Sequence, residues 1–240
     1  MLEIIRPEIF DYQKLQAGVT TVNKRMFPKY GLTLSSFDTP DDVDFNLHLQ
    51  LFAHSRGISA EQIKFNKQIH SDIVRIVDED SDVEEADGLV TNKKNLMLLV
   101  KIADCAAVLM HDVENEVIAA VHSGWRGSKL NITSKAIKLM QKNYGTRPEN
   151  LLCYISPAAS VNKYEVGKEF TKIFPLTTVK RGGKYYFDNK KEIFNQLIAA
   201  GVAKENIEVS PVCTIKDKNF HSYRRDKDKS GRMGAFIMLK

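Results

Sequence analysis

Short apolar runs in the middle of the chain predict buried β-strands. Three of them follow one another at residues 96–102, 106–110 and 117–121, and the turn-like segment 111–116 separates the last two. Aliphatic runs of about four to eight residues bounded by turn signals are typical of strands that are covered on both faces. We therefore expect these strands to form the apolar centre of the fold.

In other segments the apolar residues are spaced as in a helix. Apolar positions repeat every three or four residues over 132–144, and Gly145 follows as a stop signal, so a helix is predicted there. A glycine turn at 122–128 precedes this helix. Asp188 is a capping residue and predicts a second helix that runs to about Ala200.

The N-terminal third of the chain contains a further helix start signal. Thr39 supplies a cap and Pro40 suits the first helical position. Asp41 and Asp42 then place negative charge at the positive end of the helix dipole. We expect this helix to end near Gly57.

Segments rich in β-forming residues recur at 151–155, 207–212 and 235–239. Helices and strands are therefore mixed along the whole chain, and no internal repeat, low-complexity tract or long linker interrupts them. The pattern predicts one mixed-sheet α/β domain over residues 1–240.

Composition agrees with a folded protein and reveals an uneven charge distribution. The chain has 240 residues, 43% of them hydrophobic and 27% charged, with a formal net charge of +5, which excludes disordered, collagenous and fibrous proteins. Segment 78–87 holds seven acidic residues and no basic one, and we expect a solvated loop there. Segment 214–232 holds seven basic and three acidic residues interleaved with aromatics, which suits an anionic or aromatic ligand or a solvated surface.

Neither a membrane span nor a secretion signal is indicated. The apolar runs are far shorter than the ~20 residues of a transmembrane helix. The first residues include acids and a proline instead of a basic start followed by an apolar stretch. Three cysteines, an odd number without Cys-x-x-Cys spacing, support neither a disulfide framework nor a zinc finger. We expect a cytoplasmic protein with reduced thiols.

Several common enzyme motifs are absent from the sequence. No glycines form a G-x-G pair, which excludes the dinucleotide fingerprint and the glycine loop of kinases, and neither G-x-x-x-x-G-K nor G-x-S-x-G occurs. The H-E-x-x-H motif of zincins and the H-x-E motif of the usual cytidine deaminases are also missing. Any metal site must therefore combine residues that are distant in sequence.

Three residues are candidates for such a site: His70, Cys105 and His122. Cys105 and His122 lie at the ends of predicted strands, and imidazole and thiolate are zinc ligands. Each has an ordinary alternative, since a lone histidine is more often a surface or core residue and Cys105 suits a small buried hydrophobe. The glycine turn after His122 opens onto a predicted helix whose first amides, together with Arg126, could hold an anion.

Six separated motifs occur in a fixed order. They are Lys67-Gln68-Ile69-His70; Ala86-Asp87-Gly88-Leu89-Val90-Thr91; Ile102-Ala103-Asp104-Cys105; Val121-His122-Ser123-Gly124-Trp125-Arg126-Gly127; Tyr164-Glu165-Val166-Gly167; and Cys213-Thr214 with Phe220-His221-Ser222-Tyr223-Arg224-Arg225 and Gly231-Arg232-Met233. This series resembles the YfiH family, also called the laccase-domain or polyphenol oxidase family. The resemblance covers the chain from about Gly57 to the end, whereas the N-terminal third matches loosely.

The resemblance implies a single α/β domain in which His70, Cys105 and His122 bind one zinc ion. It also implies phosphorolysis of adenosine, inosine and methylthioadenosine to the free base and a sugar phosphate, with adenosine deamination as a second activity. An older label of the family is copper-dependent oxidation of polyphenols. The similar fold of the cytotoxic necrotizing factor toxins, where a Cys and a His are catalytic, leaves a hydrolase that uses Cys105 and His122 as a further alternative.

This sequence departs from the family pattern in three places. They are Ser156-Pro157-Ala158-Ala159-Ser160-Val161-Asn162-Lys163, Ala17-Gly18-Val19-Thr20 and Asn46-Leu47. The departures leave the three ligands intact and affect the expected substrate contacts.

Roles for the remaining site residues are hypotheses at this point. They assign proton transfer to Asp104, phosphate binding to Arg126 and Arg224, substrate binding to Gln68, and stacking on the base to Tyr223 or Phe220. The expected partners are a purine nucleoside and phosphate, with zinc as the cofactor and copper as the alternative metal. We expect a monomer or homodimer without nucleic-acid or membrane partners. A nucleic-acid-binding or partner-binding module built on segment 214–232 is the non-enzymatic alternative.

Overall fold

Helices and strands alternate along residues 2–36, 40 and 43–240, which this computed structural model describes. The strands are β1 Ile4–Ile5, β2 Leu15–Thr20, β3 Ile63–Lys64, β4 Val74–Ile76, β5 Gly88–Thr91, β6 Met97–Ile102, β7 Ala106–Asp112, β8 Val117–Ser123, β9 Leu151–Ile155, β10 Glu165–Val166, β11 Thr178–Arg181, β12 Lys184–Phe187, β13 Ile207–Val209 and β14 Met233–Leu239. The α-helices are α1 Phe45–Ser55, α2 Trp125–Lys129, α3 Ile132–Tyr144, α4 Phe170–Ile173, α5 Asn189–Ala199 and α6 Tyr223–Asp226. Short 3-10 helices occur at Ala60–Gln62, Pro148–Asn150, Lys204–Asn206 and Lys227–Lys229.

Two large sheets form the centre of the molecule. One has the strand order β13-β9-β7-β8-β5-β4 and the other the order β1-β2-β14-β6-β3, and both mix parallel with antiparallel neighbours. Strands β7 and β8 form an antiparallel hairpin in which Ala106 pairs with Ser123. The beginning of β7 therefore lies beside the end of β8.

The two sheets face each other across an apolar core. Val100 of β6 and Ile237 of β14 belong to the same buried cluster as Leu109 of β7 and Ala120 of β8. Successive side chains of a strand point to opposite faces. The other face of β7 and β8 therefore packs on α3 and α5, and the other face of β6 and β14 packs on α1. The result is a four-layer arrangement of α1, two sheets and the pair α3–α5.

A small third sheet, with the order β10-β12-β11, is anchored by aromatic packing. Phe187 of β12 is buried against Phe170 and Phe174, and its ring stacks on that of Phe174 with 4.3 Å between centroids. Trp125 of α2 packs on the same cluster. The third sheet is thereby fixed next to the segment that follows β8.

The predicted mixed α/β class with mixed sheets is confirmed. The bounds of α3 and β9 match the predicted segments, and Asp188 caps α5 by accepting a hydrogen bond from the backbone N–H of Lys191 at 3.0 Å. Strand β13 ends at Val209, earlier than predicted. None of the described helices is long and apolar enough to cross a membrane. That residues 1–240 form one domain stays a prediction.

The first long helix begins later than the sequence signal suggested. Thr39, Asp41 and Asp42 lie outside the described residues, and α1 is instead capped by Asp44, whose side chain accepts a hydrogen bond from the backbone N–H of Leu47 at 3.0 Å. Gly57 has a φ of 75°, a left-handed conformation that ends the helix where we expected it to end.

Replacing Asp188 by alanine should lower the free energy of unfolding by about 1 kcal/mol, because the N–H of Lys191 loses its acceptor. In a chain of this size the melting temperature should fall by about 2–4 °C. Thermal unfolding of D188A should be compared with that of Asp188→Asn, which keeps a capping oxygen. An unchanged D188A melting temperature, or equal losses in both variants, would contradict this role.

Candidate metal site in a cationic cavity

Three side chains from separate segments converge at one end of the β7–β8 hairpin. Cys105 directly precedes β7 and His122 lies near the end of β8, so the pairing of these strands brings the two together. His70 reaches the same point from the connection between β3 and β4. Their ligand atoms all lie within 4.8 Å of one another, and Sγ of Cys105 lies 4.0 Å from Nε2 of His70. The three residues form a candidate metal-binding group.

The buried carboxylate of Asp87 holds this arrangement together. Its Oδ1 lies 2.8 Å from Nδ1 of His122 and accepts a hydrogen bond from the backbone N–H of His70 at 3.0 Å. Its Oδ2 accepts hydrogen bonds from the backbone N–H groups of Ile69 and Ser71 and from the Ser71 hydroxyl. An ionised carboxylate only accepts hydrogen bonds, so His122 donates from Nδ1 and keeps Nε2 for a ligand.

Charges within this cluster shift three pKa values. Burial alone would raise the pKa of Asp87, but the hydrogen bond and charge of His122 lower it to about 2. Burial alone would lower the pKa of His122, but the charge of Cys105 and the hydrogen bond to Asp87 raise it to about 9. Burial would raise the pKa of Cys105, but the charge of His122 lowers it to about 6. The thiolate is the metal-binding form of cysteine, and metal binding would release the Nε2 proton of His122.

Backbone geometry around the ligands is tight. A Cβ on residue 124 would lie 2.8 Å from Sγ of Cys105 and 3.3 Å from Cδ2 of His70, so any residue other than Gly124 would displace these two side chains. His70 and Asp104 both have positive φ values, 58° and 85°. Such a backbone costs a non-glycine residue about 1–3 kcal/mol and persists only where other contacts impose it.

The side chain of Asp104, the residue before Cys105, makes hydrogen bonds that hold its left-handed backbone in place. Its Oδ1 accepts a hydrogen bond from the Thr214 hydroxyl at 2.7 Å. Its Oδ2 accepts from the Ser222 hydroxyl at 3.0 Å and from the backbone N–H of Arg224 at 2.6 Å. Both carboxylate oxygens are therefore engaged in holding the 214–224 segment against the site.

The candidate ligands face a cavity of about 580 Å³. Eight of the nine residues with a predicted site role line this cavity, all but Phe220, and further residues complete its walls. The complete lining is Ser35, Gln68, His70, Lys101, Ala103, Asp104, Cys105, His122, Arg126, Ala159, Tyr164, Ile215, Tyr223, Arg224, Asp228 and Arg232. Four cationic and two acidic side chains contribute to the walls, which favours an anionic ligand.

Arg126 and Arg224 are held by aromatic rings on the cavity wall. Cζ of Arg126 lies 4.5 Å from the ring centroid of Trp125, and its guanidinium has no hydrogen-bond or ion-pair partner among the described residues. Cζ of Arg224 lies 5.3 Å from the ring centroid of Tyr164, and its Nη1 donates to the carbonyl oxygen of Glu165. The helix that begins beside Arg126 has only five residues, so the expected contribution of a helix dipole is small.

The other predicted substrate contacts differ in their surroundings. The side-chain amide of Gln68 donates to the carbonyl oxygen of Lys101 at 2.8 Å and accepts from its N–H at 2.7 Å, which ties the His70 loop to β6. Tyr223 lines the cavity and is 47% exposed. Phe220 does not line the cavity; it is buried in the core between the sheets, so its expected stacking role was wrong.

Sequence reasoning missed three residues that shape the site. Asp87 had no predicted role of its own, although an acidic residue directly before an apolar strand could have indicated a buried carboxylate. Lys101 is a single charge within the apolar run of β6; it is buried, and its Nζ donates to the carbonyl oxygen of Asn66 at 2.6 Å. Tyr164 lines the cavity, and burial raises the pKa of its phenol.

The donor set fits a metal ion. Two imidazoles and one thiolate leave a tetrahedral ion one open position, as in catalytic zinc sites. The hydrogen bond from His122 to Asp87 is the contact that usually orients a metal-bound histidine. Within the described part of the chain, no other group of three His, Cys, Asp or Glu side chains has comparable geometry.

Known proteins resemble this chain in sequence and structure. A protein named purine nucleoside phosphorylase from Aquifex aeolicus is 32% identical over 82% of this chain and 93% of its own length, and a protein of the same name from Clostridium acetobutylicum is 34% identical over 76% and 79%. The crystal structure of the hypothetical protein YfiH from Bacillus licheniformis is similar with a TM-score of 0.86, 26% identity and coverage of 94% of this chain and 93% of that one. YlmD from Geobacillus stearothermophilus has a TM-score of 0.85 at 25% identity, with coverage of 94% and 92%.

A family model described as multi-copper polyphenol oxidoreductase laccase matches residues 16–240. The match includes most of the N-terminal third, where the motifs agreed only loosely. The resemblance to YfiH proteins is thereby confirmed, and the chain belongs to the multi-copper polyphenol oxidoreductase laccase family.

Proposed function

We propose that this chain is a zinc-dependent purine nucleoside phosphorylase. The observation that carries the proposal is the metal-binding group in one cavity with the unpaired guanidinium of Arg126. Phosphorolysis needs a place to hold the nucleoside at a reactive centre and a cation to hold phosphate beside it. The relatives named purine nucleoside phosphorylase support the same activity.

Zinc suits two imidazoles and a thiolate, and bound there it would supply a Lewis acid and lower the pKa of water to ~7. The chain itself provides orientation and charge. Asp87 keeps the proton on Nδ1 of His122. Arg126 and Arg224 attract and orient phosphate through charge-assisted hydrogen bonds. Tyr223 offers an aromatic face on which the purine stacks.

The proposed substrates are adenosine, inosine and methylthioadenosine, with adenosine deamination as a second activity. Proton transfer by Asp104 was the sequence-based hypothesis for deamination. Because three donors already occupy both of its carboxylate oxygens, we favour a positioning role in which Asp104 fixes Cys105 and the 214–224 segment.

Two alternatives use the same residues. Copper also binds two histidines and a cysteine, which would suit a polyphenol oxidase, but a multicopper centre needs further ligand groups and the described residues contain one such group. Cys105, His122 and Asp87 would also suit the roles of nucleophile, base and orienting acid in a cysteine hydrolase. Metal removal separates the hydrolase from the phosphorylase, because it should abolish phosphorolysis and leave a thiol hydrolase active, and reloading with zinc or with copper separates the phosphorylase from the oxidase.

The proposed partners are small molecules. A purine nucleoside and phosphate both fit a cavity of this volume and charge, and both occur in the cytoplasm, where we propose that the protein acts. A monomer or homodimer stays the prediction for its assembly, and we propose no role for nucleic acid.

Zinc-loaded protein incubated with adenosine and phosphate should release adenine, and inosine formed without phosphate would reveal deamination. His70→Ala should lose zinc and activity, because it removes one ligand through an exposed side chain. His54→Ala, an exposed histidine of α1, is the matched control and should keep both. Chromatography and metal analysis provide the readouts. Adenosine that stays intact with zinc-replete protein would refute the proposed function.

Gly124→Ala should weaken zinc binding by about 10- to 100-fold, because the added Cβ displaces Cys105 and His70. The backbone of Gly124 has a φ of −76°, which alanine adopts, so the fold should survive. Competition with a chromogenic chelator measures the affinity, and circular dichroism checks the fold. Wild-type zinc affinity in a folded G124A protein would overturn this steric requirement.

Arg126→Ala should raise the phosphate KM by about 10- to 100-fold, because a charged hydrogen-bond donor is lost from the cavity. The nucleoside KM should change by less than about twofold if the two ligands bind at separate places. Arg126→Lys keeps the charge but loses the planar donors, so its phosphate KM should lie between those of the wild type and R126A. An unchanged phosphate KM in R126A would remove Arg126 from the phosphate site.

A further inference from the structure

Tyr164 is fixed in the wall that the two cavity arginines share. Its backbone N–H donates to the carbonyl oxygen of Ser160 at 2.9 Å, and its carbonyl oxygen accepts from the N–H of Phe187 at 3.0 Å. Its ring packs against the Phe187 ring on one side and lies under the guanidinium of Arg224. The position of the phenol is therefore set by the fold before any ligand binds.

The hydroxyl of Tyr164 has no hydrogen-bond partner among the residues that the structure describes. It borders the cavity, close enough to Arg126, Arg224, Asp104 and Cys105 for their charges to act on it. Tyr164 is partly buried, so its hydroxyl stays available to donate a hydrogen bond to a ligand in the cavity. A neutral donor on the same cavity wall as two arginines matches the needs of a tetrahedral oxyanion.

We propose that the Tyr164 hydroxyl is the neutral donor of a phosphate site that it forms with Arg126 and Arg224. The inference rests on the proposed function and adds to it a phosphate-binding residue. The arginines supply charge, and the phenol supplies one hydrogen bond to a phosphate oxygen. Tyr164 thereby selects phosphate and related oxyanions as the co-substrate and has no contact with the purine.

The acidic groups around this site leave room for an anion. Asp104 already receives three hydrogen bonds, and the carboxylate of Glu165 pairs with Lys184 at 2.9 Å. Asp228 is the second acid of the cavity lining. The cationic side chains outnumber these acids along the lining, so phosphate gains attraction on entering.

Tyr164→Phe tests the inference, because it removes only the hydroxyl and keeps the ring that supports Arg224. Isothermal titration of the zinc-loaded protein with inorganic phosphate should give a Kd about 10- to 100-fold higher than in the wild type. The phosphate KM should rise by the same factor, and the nucleoside KM and phosphate-independent deamination should stay within about twofold. Tyr186→Phe, on β12 and outside the cavity lining, is the matched control and should resemble the wild type.

The titration separates this inference from the proposed function. A wild type that cleaves no nucleoside would refute the proposed function, and its phosphate Kd compared with that of Y164F would still decide the role of Tyr164. A phosphate Kd within twofold of the wild type in Y164F would overturn the inference. So would a loss confined to the nucleoside KM, because the hydroxyl would then contact the nucleoside. Unchanged zinc content and melting temperature would establish that the variant is folded.

Discussion

The carboxylate of Asp87 is the contact on which the geometry of the candidate site depends. It joins β8, through His122, to the loop that carries His70, and it also accepts hydrogen bonds from Ile69 and Ser71. A buried carboxylate is costly unless its oxygens are hydrogen-bonded. The folded state therefore gains stability only when the two segments are correctly placed, which ties the position of the ligands to the stability of the fold. The same contacts hold His70 in its left-handed conformation.

The strand layout explains how polar ligands coexist with a dry core. Strands β7 and β8 are buried along their whole length, so a polar ligand in the middle of either strand would have only apolar neighbours. Cys105 and His122 lie at the end of the hairpin, where the apolar layers stop. Asp104 fixes the 214–224 segment by accepting its hydrogen bonds, just as Asp87 fixes the His70 loop. One carboxylate on each side of the candidate ligands therefore holds the neighbouring segment in place.

Aromatic rings give the cavity cations fixed positions. Trp125 supports Arg126 and Tyr164 supports Arg224, and both rings belong to the packing around Phe170 and Phe187. A planar guanidinium on a ring loses less entropy on binding an anion than a free side chain does. The small third sheet thus supports the cavity wall, although it supplies no candidate metal ligand among the described residues. The candidate metal group is compatible with zinc and with copper, so the cationic side chains of the walls are what favour the proposed phosphorolysis over oxidation.

The sequence by itself determined the mixed α/β class, the central strands, α3, α5 and the three metal-ligand candidates. Those features depend on local periodicity, on capping residues such as Asp188, and on motifs that lie within a few residues of one another. Only the tertiary structure decided what the remaining polar residues do. Asp87, Tyr164 and Lys101 gain their roles from partners distant in the chain, as when Asp87 meets His122, and Phe220 is directed into the core by sheet packing. The sequence pattern predicts which residues prefer burial, but it does not predict which buried groups contact each other, because those contacts join residues that are distant in the chain.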